Sequence, residues 1–352
     1  MAALLNVSDF EREAERLLDA AAFGYFAGGA GDERTLRDNV GSFSRWYLRP
    51  RVLVDVGEPT TATTVVARDV SLPVILAPVG FQQLAHADGE LAGARAAARA
   101  GAIYCLPTLS SVTPAECADA APDGPRWFQL YWSRDRGFTQ ELLRQVVEAN
   151  YSALVLTVDL PVLGRRERDL RAGFPFPPDV PLPNVSPELQ PLGRGRGHVV
   201  DATLSWRDLE WLRETAPLPL VIKGVLTRED ALIAVEHGAA AVVVSNHGGR
   251  QLDGVPASLD VLPEVVDAIG ERTEVLMDGG VRRGVDVLKA LALGARAVLI
   301  GRPFLWALAA AGEDGVTRVL DLFRDEIATG LALLGCRSPA EVTRAHVSRE
   351  SR

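Results

Sequence analysis

The sequence predicts an α/β fold, a (β/α)8 TIM barrel with an N-terminal helical lead-in and one long loop insertion after strand four. Three observations carry that expectation. Eight short β-branched runs recur along the 352 residues, and most are apolar throughout, as strands buried on both faces are. Helix-like segments separate them, which implies parallel pairing through right-handed crossovers. Polar and glycine residues gather at the C-terminal end of nearly every strand, and this favours a closed barrel with one shared site over an open doubly wound sheet.

Taken in order, residues 1–70 read as the lead-in, with helix over Asp9–Ala22 followed by YFAGGAGDERTLRDN. Strands are expected at Val74–Ala77, Ile103–Leu106, Trp127–Leu130, Ala153–Val158, Leu220–Lys223, Ala241–Ser245, Glu274–Asp278 and Ala297–Gly301. Helices are expected at Glu90–Ala100, Pro114–Ala120, Thr139–Asn150, Trp206–Thr215, Thr227–His237, Ser258–Ile269 and Gly284–Leu293. Ser205 and Thr227 stand at N-cap positions with Asp208 and Asp230 three residues later, and Gly238 and Gly294 supply stops. Spacing between strands is even except after the fourth, where residues 164–203 are rich in Pro, Gly and Arg. That stretch is expected to be a mobile loop covering the site, with Gly193–Gly197 at its loosest. No repeat or linker is visible. Residues 1–352 are therefore expected to form one domain, with the barrel over about 71–335.

Composition narrows the function classes. With 37 Lys+Arg against 46 Asp+Glu the net charge is −9, which disfavours nucleic acid because phosphate neutralisation needs a clustered basic excess. At 47% hydrophobic and 24% charged residues the chain is far too apolar for disorder. Cys105, Cys117 and Cys336 lack paired spacing or a histidine cluster, so neither a disulfide framework nor a metal site is expected. The N-terminus turns acidic within ten residues and no run approaches about 18 uncharged apolar residues. A cytoplasmic protein without membrane attachment is expected.

Chemistry concentrates at the strand ends. Ser245-Asn246-His247-Gly248-Gly249-Arg250-Gln251-Leu252-Asp253 leaves the sixth strand, and an imidazole beside a guanidinium on a glycine-rich turn suits proton abstraction from a substrate whose carboxylate the arginine clamps. His237 at a helix end reads as structural, and His86, His198 and His346 have no supporting context. The seventh and eighth strands end in Asp278-Gly279-Gly280-Val281-Arg282-Arg283-Gly284 and Gly301-Arg302-Pro303. Exposed N–H groups, helix N-termini and arginines make that corner an anion site, commonly a phosphate site in such barrels. No P-loop and no dinucleotide fingerprint occurs. Lys223, ending the fifth strand, faces either a ligand or a carboxylate inside the barrel. Asp159 follows the fourth strand, and Gln129 and Tyr131 follow the third.

These residues resemble the FMN-dependent α-hydroxy acid oxidase and dehydrogenase family. The match runs from Tyr25-Phe26-Ala27-Gly28-Gly29-Ala30 to Cys336-Arg337-Ser338, and SNHGGRQLD, LTVDLPVLGRRERDLR, WFQLYW, VIKGV, DGGVRRG and IGRP occur in the family's order. The resemblance implies FMN as cofactor and a small-molecule (S)-2-hydroxy acid as substrate, with oxygen or another acceptor taking the electrons. It implies that His247 takes the substrate proton, that Asp159 stabilises the imidazolium, and that Arg250 and Tyr25 bind the carboxylate. Tyr131 would contact the hydroxyl, Arg166 would lie at the substrate side, and Lys223 would sit by the flavin N1–O2 edge. Pro78, Val79, Gly80, Thr108, Gln129, Thr157 and Ser245 match the flavin side, while Asp278, Gly280, Arg282, Gly301 and Arg302 match the ribityl-phosphate side. A homo-oligomer, tetramer or octamer, is also implied.

Departures bear on substrate and acceptor. Gly80 stands where short-chain oxidases of the family usually carry alanine, and the missing methyl is expected to enlarge the space beside the reacting edge, as in mandelate dehydrogenases. Leu109 stands where glycolate oxidase has tryptophan. CLPTLSSV followed by WFQLYW looks most like the 4-hydroxymandelate oxidases, so a roomy apolar pocket for an aryl group is expected. The absence of a haem domain and of a membrane-binding segment favours oxygen as acceptor. The rival readings are a glycolate- or lactate-type oxidase, a dehydrogenase with another acceptor, an FMN-dependent isomerase, and a non-enzymatic flavin-binding protein.

Overall fold

Apolar runs bounded by glycine and helix caps form eight parallel strands that close on themselves in the computed structural model, which describes residues 4–172, 180–186 and 201–349. The strands are β1 (Val74–Leu76), β2 (Tyr104–Pro107), β3 (Arg126–Leu130), β4 (Leu154–Thr157), β5 (Leu220–Val225), β6 (Ala241–Val244), β7 (Glu274–Asp278) and β8 (Ala297–Ile300). Neighbours in sequence pair throughout, and β8 pairs back onto β1 with Val298 opposite Val74. The ring therefore leaves no free edge. Each strand sits within a residue or two of its expected position.

Two apolar layers follow from the period-2 alternation of strand side chains. Ile75, Cys105, Trp127, Val155, Val221, Val243, Leu276 and Leu299 form a buried inner cluster. Alternate residues such as Leu76, Leu106, Phe128, Leu154 and Ile222 belong to the second cluster, shared with the surrounding helices. Below, the short hairpin of Thr63–Val65 and Arg68–Val70 adds Val65, Val66 and Val70 to the inner cluster. It closes the N-terminal mouth, and everything polar on the inner face is left to the opposite end.

The helices are α1 (Gly89–Ala100), α2 (Pro114–Ala120), α3 (Arg136–Glu148), α4 (Asp208–Thr215), α5 (Arg228–Glu236), α6 (Ser258–Ile269), α7 (Gly284–Ala292) and α8 (Arg302–Leu334). Thr227 caps α5 as expected, accepting from Asp230 N at 3.2 Å. Ser205 does not cap α4, which starts at Asp208; instead its N donates to the Asp208 carboxylate at 2.8 Å. The eighth helix was not among the expected ones. It is broken at Ala311 and Gly312, where φ is +57° at the glycine, so no single period runs through it. The lead-in also differs from expectation. The one helix expected over Asp9–Ala22 is two, Val7–Leu17 and Ala20–Ala27, because the Asp19 carboxylate accepts from Ala21 N and Ala22 N at 2.9 Å and starts a second helix; a third, Arg34–Gly41, follows.

Part of the stretch after β4 is ordered against the barrel. Glu167–Ala172 form a short helix, and buried Asn184 donates to Ser110 Oγ at 2.7 Å and Val112 O at 2.9 Å. Gly193–Gly197 lie outside the described residues. Trp46–Leu48 pair antiparallel with Val347–Arg349. All three cysteines are free and buried, Cys105 on β2, Cys117 on α2 and Cys336 just past α8. Among the described residues no helix is long and apolar enough to cross a membrane, and no cluster of His, Cys, Asp or Glu suits a metal ion.

Candidate active site

The inner-face alternation that buries Trp127, Val221, Val243 and Leu276 places Gln129, Lys223, Ser245 and Asp278 two residues further on, at the C-terminal mouth. Lys223 Nζ lies 3.1 Å from Asp278 Oδ2 and donates to Ser245 Oγ at 3.1 Å. Burial pulls the Lys223 pKa down, but Asp278, Asp159 and Tyr131 outweigh it and the ammonium persists. Lys223 thus has both of the partners open to it, a carboxylate and the cavity. One polar atom on each neighbouring residue is left over: Asp278 Oδ1 and Gln129 Nε2 are buried without a hydrogen bond.

His247 follows β6 in a left-handed conformation, φ +58°, a strained setting that a functional site accounts for. The turn is fixed from both sides. Asn246 and Asn39 exchange amide hydrogen bonds of 2.8 Å, and a Cβ at Gly249 would lie 2.6 Å from Leu36 N. His247 N donates to Ser245 Oγ at 3.0 Å, and the ring meets Asp159 Oδ1 through Nδ1 at 2.9 Å. The Nδ1–H bond to the carboxylate leaves the lone pair on Nε2. Burial, helped by the positive charges of Lys223 and Arg166, lowers the His247 pKa against the pull of Asp159, so the ring is neutral at pH 7. Asp159 feels burial in the opposite sense, but His247 and Lys223 hold its carboxyl below the usual range. Its place is made by a bulge in β5: a Cβ at Gly224, φ +115°, would lie 2.7 Å from Asp159 Cγ.

Positive charge surrounds the mouth. Arg250 Nη1 donates to Tyr25 O at 2.5 Å and Gly28 O at 3.0 Å, and its guanidinium lies 4.9 Å from the centre of the Tyr25 ring. Arg166 donates from Nε to Arg250 O at 3.2 Å. Burial, then Arg166, pushes Arg250 down to about 10. Arg302 is held well below its ordinary pKa by burial and by Arg250, Arg282 and Arg166. Arg282 stacks 4.9 Å over Trp306 and is lowered by burial. So many buried, mutually repelling guanidinium groups are stabilised by anions. Tyr131 faces the same space, its phenol pushed up to about 12 by burial and then Asp159.

A cavity of about 1160 Å3, counted to its open mouth, is lined by these groups. Of the residues singled out from the sequence, Tyr25, Tyr131, Arg166, Arg250, His247, Lys223, Leu109, Pro78, Val79, Gly80, Gln129, Asp278, Gly280, Arg282, Gly301 and Arg302 line it. Asp159 stands behind His247. Thr108, Thr157 and Ser245 are buried directly beside it, at the ends of β2, β4 and β6. Thr108 Oγ1 donates to Gln129 O at 2.7 Å and accepts from Tyr131 N at 2.9 Å, and Ser245 Oγ serves Lys223 and His247. The expectation for Gly80 is corrected. A Cβ there would lie 2.8 Å from Leu109 Cβ, so the volume of the missing methyl is filled by Leu109 and is not spare room. The sequence reading missed Leu160 and Leu163 on the cavity wall, although DLPVLG shows two leucines directly after the Asp159 strand end.

The residues fit FMN. Asp278 Oδ1 is an acceptor for a ribityl hydroxyl, Gln129 Nε2 a donor for a ring carbonyl, and Arg282 with the glycine-led start of α8 suits a phosphate.

A family model described as FMN-dependent dehydrogenase matches residues 14–349. The chain is 48% identical to the L-lactate oxidase of Nostoc sp. over 345 residues, 94% of each chain. It is 46% identical to glycolate oxidase 1 of Zea mays over 362 residues, covering 100% of this chain and 97% of that one. Among solved structures, a mandelate oxidase with (S)-2-phenylpropionate superposes with a TM-score of 0.89 at 42% identity over 99% of both chains. An (S)-mandelate dehydrogenase superposes at 0.93 and 37% identity, over 99% of this chain and 100% of that one.

Proposed function

We propose, because the chain belongs to the family of FMN-dependent dehydrogenases, that it oxidises an (S)-2-hydroxy acid with an aryl side chain, such as mandelate or 4-hydroxymandelate, to the 2-oxo acid, with oxygen as acceptor and hydrogen peroxide as second product. That it is an enzyme of the FMN-dependent 2-hydroxy acid oxidase and dehydrogenase type follows from the family and its relatives. The single observation that carries the oxidation of a 2-hydroxy acid is His247, which lines the cavity with Arg250 and Lys223 and is held from behind by Asp159 at 2.9 Å.

Each residue has a definable task. Arg250, with Tyr25, binds the carboxylate and so fixes which face of the 2-carbon is presented. Tyr131, kept protonated, donates to the substrate's hydroxyl oxygen. His247 Nε2, neutral by burial, takes the substrate proton, and Asp159 then stabilises the imidazolium. Lys223 holds a fixed positive charge in the top layer of the barrel. Bound FMN supplies the two-electron acceptor.

Leu109, Leu160 and Leu163 give the cavity an apolar side, and this supports an aryl substrate. The filled space beside Gly80 favours a second reading, a short-chain acid such as lactate or glycolate. Ranking kcat/KM for glycolate, lactate, 2-hydroxyoctanoate, mandelate and 4-hydroxymandelate separates them: an aryl acid first supports the proposal, and glycolate or lactate first overturns the aryl assignment. The purified protein should be yellow, bleach anaerobically with its substrate, and recover colour within seconds in air with peroxide formed. Slow recovery in air, with immediate recovery on adding a dye, makes it a dehydrogenase.

A further inference from the structure

The helix Ala20–Ala27 ends without a basic residue in its last turn, so its final carbonyls and the negative end of its dipole need donors from elsewhere. Two arginines distant in sequence supply them. Arg250 Nη1 donates to Tyr25 O at 2.5 Å and Gly28 O at 3.0 Å. Arg302 donates from Nε to Phe26 O at 3.0 Å, from Nη2 to Gly28 O at 2.7 Å, and from Nη1 to Gly248 O at 3.1 Å, in the turn that carries His247. The Gly28 carbonyl is thus shared by an arginine of the substrate side and one of the phosphate side. Arg282, the other arginine of the phosphate side, makes no such bond; its Nη1 donates to its neighbour Val281 O at 2.9 Å.

We propose that Arg302 is a positioning residue for the substrate-carboxylate subsite, acting through the last turn of Ala20–Ala27, whose carbonyls set Arg250 and whose backbone carries Tyr25. The guanidinium ties three backbone segments together: the start of α8, the helix end that carries Tyr25, and the His247 turn. Its planar fork reaches carbonyls in both of the latter from three separate nitrogens, where a lysine would offer one. Loss of Arg302 therefore loosens the carboxylate anchor independently of any loss at the phosphate. The inference rests on the 2-hydroxy acid reading above.

The test compares Arg302→Gln, Arg302→Lys and Arg282→Gln as FMN-saturated holoenzymes. The quantities read are the FMN Kd, the Kd of oxalate (a carboxylate with no C–H bond to oxidise) from its perturbation of the flavin spectrum, substrate KM and kcat, and hydrogen exchange of the peptide containing Gly28 and Ala30. Arg302→Gln should raise the oxalate Kd roughly tenfold or more, the scale of one charge-assisted hydrogen bond. It should raise substrate KM in parallel, with a smaller effect on kcat, and speed exchange at the helix end. Arg302→Lys should fall between Gln and the native residue, and it serves alone if the Gln variant does not fold. Arg282→Gln should weaken FMN while leaving oxalate affinity and exchange as in the native protein. The proposal is overturned if Arg302→Gln weakens FMN only, or if both Gln variants weaken oxalate equally. Failure of the parent reading looks different: native holoenzyme that no 2-hydroxy acid bleaches, whatever the exchange data show.

Discussion

His247 combines two adjustments that act in the same direction. Its Nδ1 is committed to Asp159, and burial depresses its pKa, so the basic form is the resting form. Because the folded pKa lies below the ordinary value of about 6.5, the rate of flavin reduction at low substrate should be flat at neutral pH and fall only as pH drops below about 6.5. A rate still climbing above pH 7 would falsify this assignment of the base. His247→Gln should slow reduction by about 10²–10⁴-fold with FMN still bound, measured by anaerobic stopped flow. Gly80 carries a different kind of prediction. Placing a methyl 2.8 Å from Leu109 Cβ overpacks the wall, so Gly80→Ala should lower stability by about 1–3 kcal/mol, and Leu109→Ala in the same chain should restore part of it. An unchanged Tm for Gly80→Ala would show that Leu109 moves freely.

At the level of elements, the strands were legible because burial on both faces leaves apolar runs that nothing else in the chain imitates. Capping was legible where chemistry is local, as at Thr227 and Asp230. The split of the lead-in was not: the single polar Asp19 is flanked by Leu17, Leu18 and Ala20–Ala22, which favour continuing the helix, and only the carboxylate's bonds to Ala21 and Ala22 show the restart. The hydrogen bonds of Thr108 were not legible either. Position in sequence puts it at a strand end beside the site, but its hydroxyl is consumed by the β3 backbone at Gln129 and Tyr131. The anchoring of residues 180–186 depends on a contact over more than seventy positions, between Asn184 and the loop after β2. Asn184→Ala leaves Val112 O with only the Ser110 hydroxyl as donor, and the loss should cost about 1 kcal/mol. Because Leu109 lies on the same loop, kcat/KM should fall with it; unchanged activity and unchanged proteolysis between β4 and α4 would show that the anchor holds nothing in place.

For the molecule as a whole, the site was more legible than its energetics. Motifs gave the arginines one by one, but that Arg166, Arg250, Arg282 and Arg302 repel one another in a buried cluster is a property of the closed barrel. FMN removal should therefore lower Tm, and at a free FMN concentration about 100-fold above Kd the holoprotein should gain about 2.7 kcal/mol; coincident melting curves with and without FMN would contradict this. The three buried cysteines give that measurement an intrinsic clock. Burial pushes Cys117 up to about 12 and raises Cys105 and Cys336 as well, so no thiol is a nucleophile while the barrel is closed. Cys105 sits on β2 in the inner cluster, Cys117 on α2 and Cys336 beyond α8, so an alkylating reagent dates the opening of the barrel interior, one flanking helix and the C-terminal end separately, in a single native chain.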